Sequence, residues 1–226
     1  MITLYKLTDS YGKTWGNTQW GPGVSHSGTG KGELCGPGWI HAYEHPLIAV
    51  LMNPIHADFK NPRLWEAEGE IAIRDGQLKC GCRTLTTIRE IPLPSITTEM
   101  RVRFAIMCAK EVCADFSWAD FSWNAWADRW LSGEDRSEAA AEAVWAAQAA
   151  AAWAAASAAE ASAAWAAAWA AEAAASAASA AYRSAEAAAW AAAEAASRTA
   201  RASAAMDLGH RIDFFGIAEK ACSGLR

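Results

Sequence analysis

Glutamates at alternate positions are the first residues whose type and spacing could carry out chemistry. Glu66, Glu68 and Glu70 occupy every second position of "WEAEGE". Carboxylates on one side of a strand can activate a nucleophile or accept a proton. The same spacing is typical of the solvent-facing side of an antiparallel strand, and this is the interpretation we favour. Glu66 and Glu68, with Tyr5 in the first predicted strand, are the catalytic candidates.

Aromatic and imidazole side chains form a second group in "LCGPGWIHAYEHP". Trp39, His41, Tyr43 and His45, together with Glu68, are the predicted binding residues. His41 and His45 would share a helix face as metal ligands only if the helix began before residue 46. Proline there favours a helix that begins at that residue, so no metal site is predicted.

Six cysteines carry little further chemistry. Cys80 and Cys82 form a C-x-C on a predicted strand rather than the paired C-x-x-C motifs of zinc sites. In a reducing compartment such thiols are expected to be buried and free. The sequence therefore predicts neither a metal nor a cofactor.

The elements that position these residues are predicted to form a compact α+β domain over residues 1–113. Residues 2–8 read as a strand and the glycine-rich residues 9–38 as loops and turns. A short helix is expected over 45–53, then alternating strands around an Asp75-Gly76 turn. A further helix is expected from a Ser95 cap to about residue 112, with Met100, Phe104, Ile106 and Met107 on its apolar side.

A connector over residues 114–133 contains an exact repeat, "ADFSWADFSW". Alanine-Asp-Phe at a period of five is typical of pentapeptide-repeat solenoids, but two copies make only about half of one coil. The favoured interpretation is an aromatic helix in which Trp123, Trp126 and Trp130 cover the end of a core.

Residues 134–206 form an alanine-rich region without glycine or proline. Alanine is the strongest helix former, so an all-α region is predicted, either as a long coiled-coil helix or as a helical hairpin; an alanine-rich solenoid is the remaining alternative. A tail over 207–226 should end the helix near Gly209 and dock Ile212, Phe214 and Phe215.

Large and polar residues interrupt the alanines at a heptad-like spacing. From Trp165 to Trp190 the steps alternate between four and three residues, which predicts one stripe along a helix. Such a stripe favours packing between helices, and the predicted product is a homo-oligomer. The residues expected to mediate it are Trp145, Trp153, Trp165, Trp169, Tyr182 and Trp190.

Charge and hydropathy exclude two classes of partner. The net charge is −5 and no cluster of lysine and arginine is present, which argues against nucleic-acid binding. Glutamates such as Glu172 and Glu186 recur through the alanine-rich region, and a bilayer would penalise them. The start of the chain lacks the pattern of a signal peptide, so a cytosolic location is expected.

Two resemblances bear on function. The Glu-x-Glu strand with Tyr5 resembles the elements by which ADP-ribosyltransferases hold NAD and activate a nucleophile. "ELCGPGWIHAYEHPLIAVLMN" and the strands after it resemble an uncharacterised domain common in bacteriophage genomes, with a "lC-x-x-G-[FW]-H-A" box and an alanine- and serine-rich tail. The matching positions are Cys35, Gly38, Trp39, His41, Ala42, Glu68 and Glu90. Departures are an inserted Ile40 and tryptophan in place of glycine in the tail.

The second resemblance implies an origin rather than a mechanism. Phage accessory genes of this size are frequently devoted to managing the host, including blocking its defence systems, so a location in the host cytoplasm is expected. The leading hypothesis is a non-enzymatic binding protein that contacts a host protein or a signalling nucleotide and is assembled by its helices. An NAD-using transferase and a virion structural protein are the alternatives.

Overall fold

A computed structural model of the protein describes residues 2–113, 122–142, 161–205 and 212–223. The chain divides into two compact units, Met1–Ser95 and Ile96–Arg226. Strands occur up to Ile91, and helices follow. The predicted order of a strand-rich region before a helical one is confirmed.

The first unit is a sheet accompanied by one described α-helix. Its elements are β1 Ile2–Thr8, β2 Lys13–Thr14, β3 Thr18–Gln19, β4 Ser25–Ser27, β5 Ile40–Ala42, α1 Pro46–His56, β6 Arg63–Asp75 and β7 Lys79–Ile91, with a short 3₁₀ turn at Trp15–Asn17. The predicted opening strand is confirmed, and the glycine-rich segment carries only strands of two or three residues.

A long hairpin of β6 and β7 is the centre of this sheet. Its turn follows the Asp75-Gly76 signal, with the Leu78 amide donating to the Asp75 carbonyl at 3.0 Å and Gly76 at a φ of 52°. The register shifts between Glu66 and Ala67 and twice more before Ile73. Such irregularities bend a strand, so the two strands curl rather than lie flat.

The curled sheet returns to its own first strand. β1 pairs with β6, and β5 pairs with β7 on the edge away from β6. Just after β5, Tyr43 exchanges two backbone hydrogen bonds with Tyr5 of β1, at 2.8 and 2.9 Å. The path β1, β6, β7, β5 is therefore closed. The enclosed core consists of Leu4, Trp20, Ala42, Ala67, Cys80, Cys82 and Leu85.

Helix α1 begins where proline predicted. Pro46 is its first residue, and the Nδ1 atom of His45 accepts the Leu47 amide at 3.3 Å as an N-cap. The helix continues three residues beyond the predicted end at Asn53. Asn53 closes it by exchanging side-chain hydrogen bonds with the backbone of Phe59, at 3.1 and 3.2 Å.

The second unit is helical. Its elements are α2 Thr98–Cys113, α3 Ser122–Ser132, α4 Ala161–Ala180, α5 Ala185–Ala205 and α6 Phe214–Ser223, and residues 138–142 are also helical. α2 begins at a cap provided by Thr97, whose hydroxyl accepts the Met100 amide at 3.2 Å, rather than at Ser95. Phe104 and Ile106 are buried as predicted.

The boundary between the units differs from the predicted one at residue 113. α2 packs against α4, α5 and α6, so it belongs to the second unit. α2 is apolar on two sides, and a helix buried on more than one face needs other helices around it. This explains why the boundary lies before α2 rather than after it. The sequence showed only that the helix was amphipathic, not which partner it would meet.

α4 and α5 form a helical hairpin instead of one long helix. The turn lies at residues 181–184, and the Ser184 hydroxyl caps α5 by accepting the Ala187 amide at 3.0 Å. The guanidinium of Arg198 donates to the Trp169 carbonyl at 3.2 Å, so residues at similar distances from the turn meet, as in antiparallel helices. The predicted continuous stripe therefore breaks at the turn.

The described ends of the second unit agree with parts of the sequence analysis. Trp123, Trp126 and Trp130 are buried on α3, which fits the aromatic-helix interpretation of the connector; most of its repeat lies outside the described residues. Ile212 and Phe214 are buried as expected for a docked tail. Helix α6 was not predicted.

Candidate functional site

The predicted binding residues from Trp39 to His45 fix the first unit internally. The indole N–H of Trp39 donates to the Gly32 carbonyl at 2.9 Å, and the Nε2 atom of His41 donates to the Leu34 carbonyl. These two bonds attach the glycine-rich loop to β5. Together with the capping role of His45, they give this group a structural use.

Tyr43 forms a pair with His56, the last residue of α1. The Tyr43 hydroxyl lies 3.3 Å from Nδ1 of His56, and the rings stack with centroids 5.9 Å apart. Burial raises the pKa of Tyr43. Burial, with the positive charge of Lys79 and the nearby His41, lowers the pKa of His56 to about 3. Both side chains are therefore neutral near pH 7 and contribute no charge.

Lys6 is a buried lysine in the core of the sheet. Its ammonium donates to the His41 carbonyl at 2.6 Å and lies 5.1 Å from the centre of the Trp20 ring. Among the described residues, no carboxylate forms an ion pair with it. Burial lowers its pKa to about 8, although the nearby thiols of Cys82 and Cys80 oppose the shift.

Cys80 and Cys82 lie next to this lysine on one side of β7. A hydrogen bond between the two thiols raises the pKa of Cys80 and lowers that of Cys82, and the Lys6 ammonium lowers the pKa of Cys82 further. Both sulfurs are buried. Within the described parts of the chain, no three His, Cys, Asp or Glu side chains are grouped as metal ligands.

The candidate catalytic carboxylates lie on the outer side of β6. Trp65, Ala67 and Gly69 are buried, whereas Glu68 and Glu70 are exposed, which is the alternation of a solvent-facing strand side. Glu66 is paired with Arg89 at 2.5 Å. Tyr5 is opposite Glu66 in the β1–β6 register. No histidine or cysteine shares a contact with these carboxylates in the described structure.

The predicted oligomerisation residues divide into two groups. Trp145 and Trp153 lie outside the described residues, and Trp165 lies on α4. Trp169, Tyr182 and Trp190 are exposed on the helical hairpin and its turn. Arg198 lies over the Trp169 ring at 5.2 Å. Most of the alanines along α4 and α5 are buried, so it is alanine that packs the helices together.

Sequence reasoning missed a pair of exposed aromatic side chains in the first unit. Tyr11 is 78% exposed and Trp15 is 82% exposed. Both lie in a small structure made of β2, the 3₁₀ turn and β3, which we call the aromatic hairpin (residues 9–20). The signal available in the sequence was the pattern "YGKTWGN", in which two aromatics alternate with glycines that favour tight turns.

Side chains within the aromatic hairpin fix its backbone. One carboxylate oxygen of Asp9 accepts the amides of Tyr11 and Lys13, at 2.9 and 2.7 Å. The side-chain amide of Gln19 donates to the carbonyls of Tyr11, Gly12 and Trp20, at 3.1, 3.2 and 3.1 Å. The indole of Trp20 donates to the Thr14 hydroxyl at 3.0 Å and is itself buried in the core.

This hairpin is therefore a rigid support for two aromatic rings that contribute nothing to the core. Large rings held in water on an ordered backbone lose little conformational entropy when a partner covers them. The arrangement suits binding through contact area and has no group positioned for acid, base or nucleophilic chemistry.

None of the helices among the described residues has the length and apolar character that a membrane crossing requires.

No protein-family model matches the chain, and no match to it was found among curated proteins or among solved structures.

Proposed function

We propose that the chain is a non-enzymatic binding protein that contacts a protein target through Tyr11 and Trp15 of the aromatic hairpin. The observation that carries this proposal is the exposure of both rings, 78% and 82%, on a backbone fixed by Asp9 and Gln19. Tryptophan and tyrosine are the residues most enriched among those that dominate binding energy at protein interfaces.

The setting we propose follows from the resemblance of residues 30–112 to a phage domain. The target is then a bacterial host protein, the effect is inhibition of a host defence pathway, and the chain acts in the host cytoplasm. The internal roles of His41, Tyr43 and His45 support a binding function over an enzymatic one, because the only described cluster of imidazoles is engaged in holding the fold.

We further propose that the helical unit assembles copies of the chain. Trp169, Tyr182 and Trp190 are exposed on the helical hairpin, and large apolar side chains exposed together are typical of association surfaces. Light scattering over a concentration series measures this directly. A strict monomer at all concentrations would contradict the assembly.

The target contact is tested by recovery of host proteins on the tagged full-length chain, quantified by mass spectrometry. The double change Tyr11→Ala and Trp15→Ala should reduce recovery of the specific partner by at least about tenfold, because such anchor residues typically contribute 2 kcal/mol or more. Both rings are exposed, so folding should be unaffected.

Ile88→Ala is the matched control, since it removes an exposed apolar side chain from the same unit. It should leave recovery of the partner unchanged. Equal recovery by the wild type and by the double variant would rule out the aromatic hairpin as the contact.

A further inference from the structure

Cys35 combines an exposed sulfur with a buried ammonium directly beneath it. The Nζ atom of Lys79 donates to the Sγ atom of Cys35 at 3.1 Å. Lys79 is only 8% exposed, whereas Cys35 is exposed. The sulfur therefore lies at the surface, with a positive charge on its inner side.

The ammonium of Lys79 has almost no other partner. Within the described structure, the Cys35 sulfur is its one side-chain hydrogen-bond acceptor, and no carboxylate forms an ion pair with it. An ammonium has three donors and thiol sulfur is a weak acceptor. A buried charge is usually paired with an opposite charge. Because no carboxylate pairs with the Lys79 ammonium in the described structure, it is available to an anion that approaches Cys35.

Neighbouring basic groups add to the same positive field. Lys79 and Lys6 both act on His41, and Lys79 acts on His56, lowering the pKa of each imidazole after the larger effect of burial. These side chains come from β1, β5, β7 and α1, and no carboxylate contributes to either shift. Lys6 and Lys79 therefore both contribute positive charge on the inner side of the Cys35 loop.

The loop that carries Cys35 is held in place. The Gly30 amide donates to the Gly38 carbonyl at 2.8 Å, closing the segment. A β-carbon at Gly38 would lie 1.9 Å from the Lys31 carbonyl oxygen, so only glycine fits this crossing. Leu34 is buried, and its carbonyl accepts His41. The sulfur of the next residue consequently has a defined position.

The other five cysteines are less accessible. Cys80, Cys82, Cys108 and Cys113 are buried and Cys222 is half-buried. Burial raises the pKa of Cys108, of Cys222 and, to about 12, of Cys113. Thiol chemistry requires the thiolate and access to it, so these residues are poor competitors.

We propose that Cys35 is a modification site at which the thiol exchanges with small anionic disulfides, with Lys79 as the group that attracts the anion. In this step the Cys35 sulfur attacks one sulfur of the disulfide, a new S–S bond forms and the old one breaks. The displaced half leaves as a thiolate, and the Cys35 proton passes to solvent. The disulfide is the oxidant, and no other reactant is needed.

The experiment measures reaction of the full-length chain with the dianionic disulfide 5,5′-dithiobis(2-nitrobenzoate) and with neutral 4,4′-dithiodipyridine. Peptide mapping should find Cys35 modified first. Lys79→Met should slow the dianionic reagent by about tenfold at low salt and the neutral reagent by clearly less, because the lost charge acts on the approaching anion.

Lys31→Met is the matched control, because it removes an exposed lysine from the same loop and should change either rate by less than about twofold. Misfolding of Lys79→Met would be recognised by rapid modification of the buried cysteines. Salt then provides a test on the wild type, in which sodium chloride should slow the dianionic reagent selectively.

Three results would overturn the proposal. These are first modification at another cysteine, a wild-type rate for folded Lys79→Met, and the same salt dependence for both reagents.

Discussion

The interior of the first unit and the packing of helices α4 and α5 in the second unit use side chains of opposite size. The sheet encloses large side chains with polar atoms, such as Trp65, Lys6 and Tyr43. Helices α4 and α5 bury alanine at most of their inward positions. An interior of large groups is sensitive to removal of atoms, whereas one of methyl groups is sensitive to their addition. The sheet interior and the packing of α4 and α5 should therefore be destabilised by different substitutions.

The largest effect is expected for Trp65→Ala. Trp65 is fully buried, and its indole donates to the Thr8 hydroxyl at 3.1 Å. Its removal leaves a cavity and an unpaired buried hydroxyl, and should lower the free energy of unfolding by about 3–5 kcal/mol. Urea unfolding followed by circular dichroism measures the change. Trp15→Ala, which removes an exposed indole from the same unit, should alter it by less than about 0.5 kcal/mol.

The next effect is a pH dependence due to Lys6. Because its pKa falls from 10.5 to about 8 on folding, the unfolded chain binds more protons between these values. The free energy of unfolding should then rise with pH across this window, by about 3 kcal/mol. Below pH 8 Lys6 is charged in the folded chain, and the full cost of burying this charge lowers the free energy of unfolding.

The change Lys6→Met removes the titrating group but keeps a long apolar side chain. Its free energy of unfolding should exceed that of the wild type at pH 7, and the difference should shrink as pH rises to 10.5. A difference that stays constant between pH 7 and 10.5 would show that Lys6 is not buried as a charge. Groups far from Lys6 titrate alike in both proteins and cancel in the difference.

The smallest effect tests the helical unit. Ala174 is fully buried on α4, which packs against α2 and α5. Ala174→Leu should lower the free energy of unfolding by about 1–3 kcal/mol, because the added atoms force the helices apart. Ser176→Leu, at a partly exposed position of the same helix, is the matched control and should be close to neutral. Equal effects at the two positions would contradict close packing of alanine.

The elements predicted correctly are those with a local signal. Pro46 marked the start of α1, and the Asp75-Gly76 pair marked the turn of the long hairpin. The turn between α4 and α5 lacks glycine and proline, although Ser184 and the acidic Glu186 after it were a cap signal that the alanine pattern obscured.

Contacts between distant residues account for what the sequence did not reveal. Lys6 occupies a core position of β1 because the His41 carbonyl and the Trp20 ring receive its charge, and both belong to other segments. The exposure of Tyr11 and Trp15 likewise depends on Gln19 and Asp9 folding the aromatic hairpin outward. From composition alone, the rings of a tyrosine and a tryptophan are expected in the core.

An interior of alanine has a consequence for helix register. Successive turns of an alanine face are nearly identical, so a helix could slide along its neighbour by one turn and recover a similar surface. Two hydrogen bonds from long side chains oppose such a slip, since each reaches one particular carbonyl of α4. The Trp123 indole donates to Ala171 at 3.3 Å, and Arg198 donates to Trp169 at 3.2 Å. These two hydrogen bonds therefore select one alignment of the helices from several of similar packing energy.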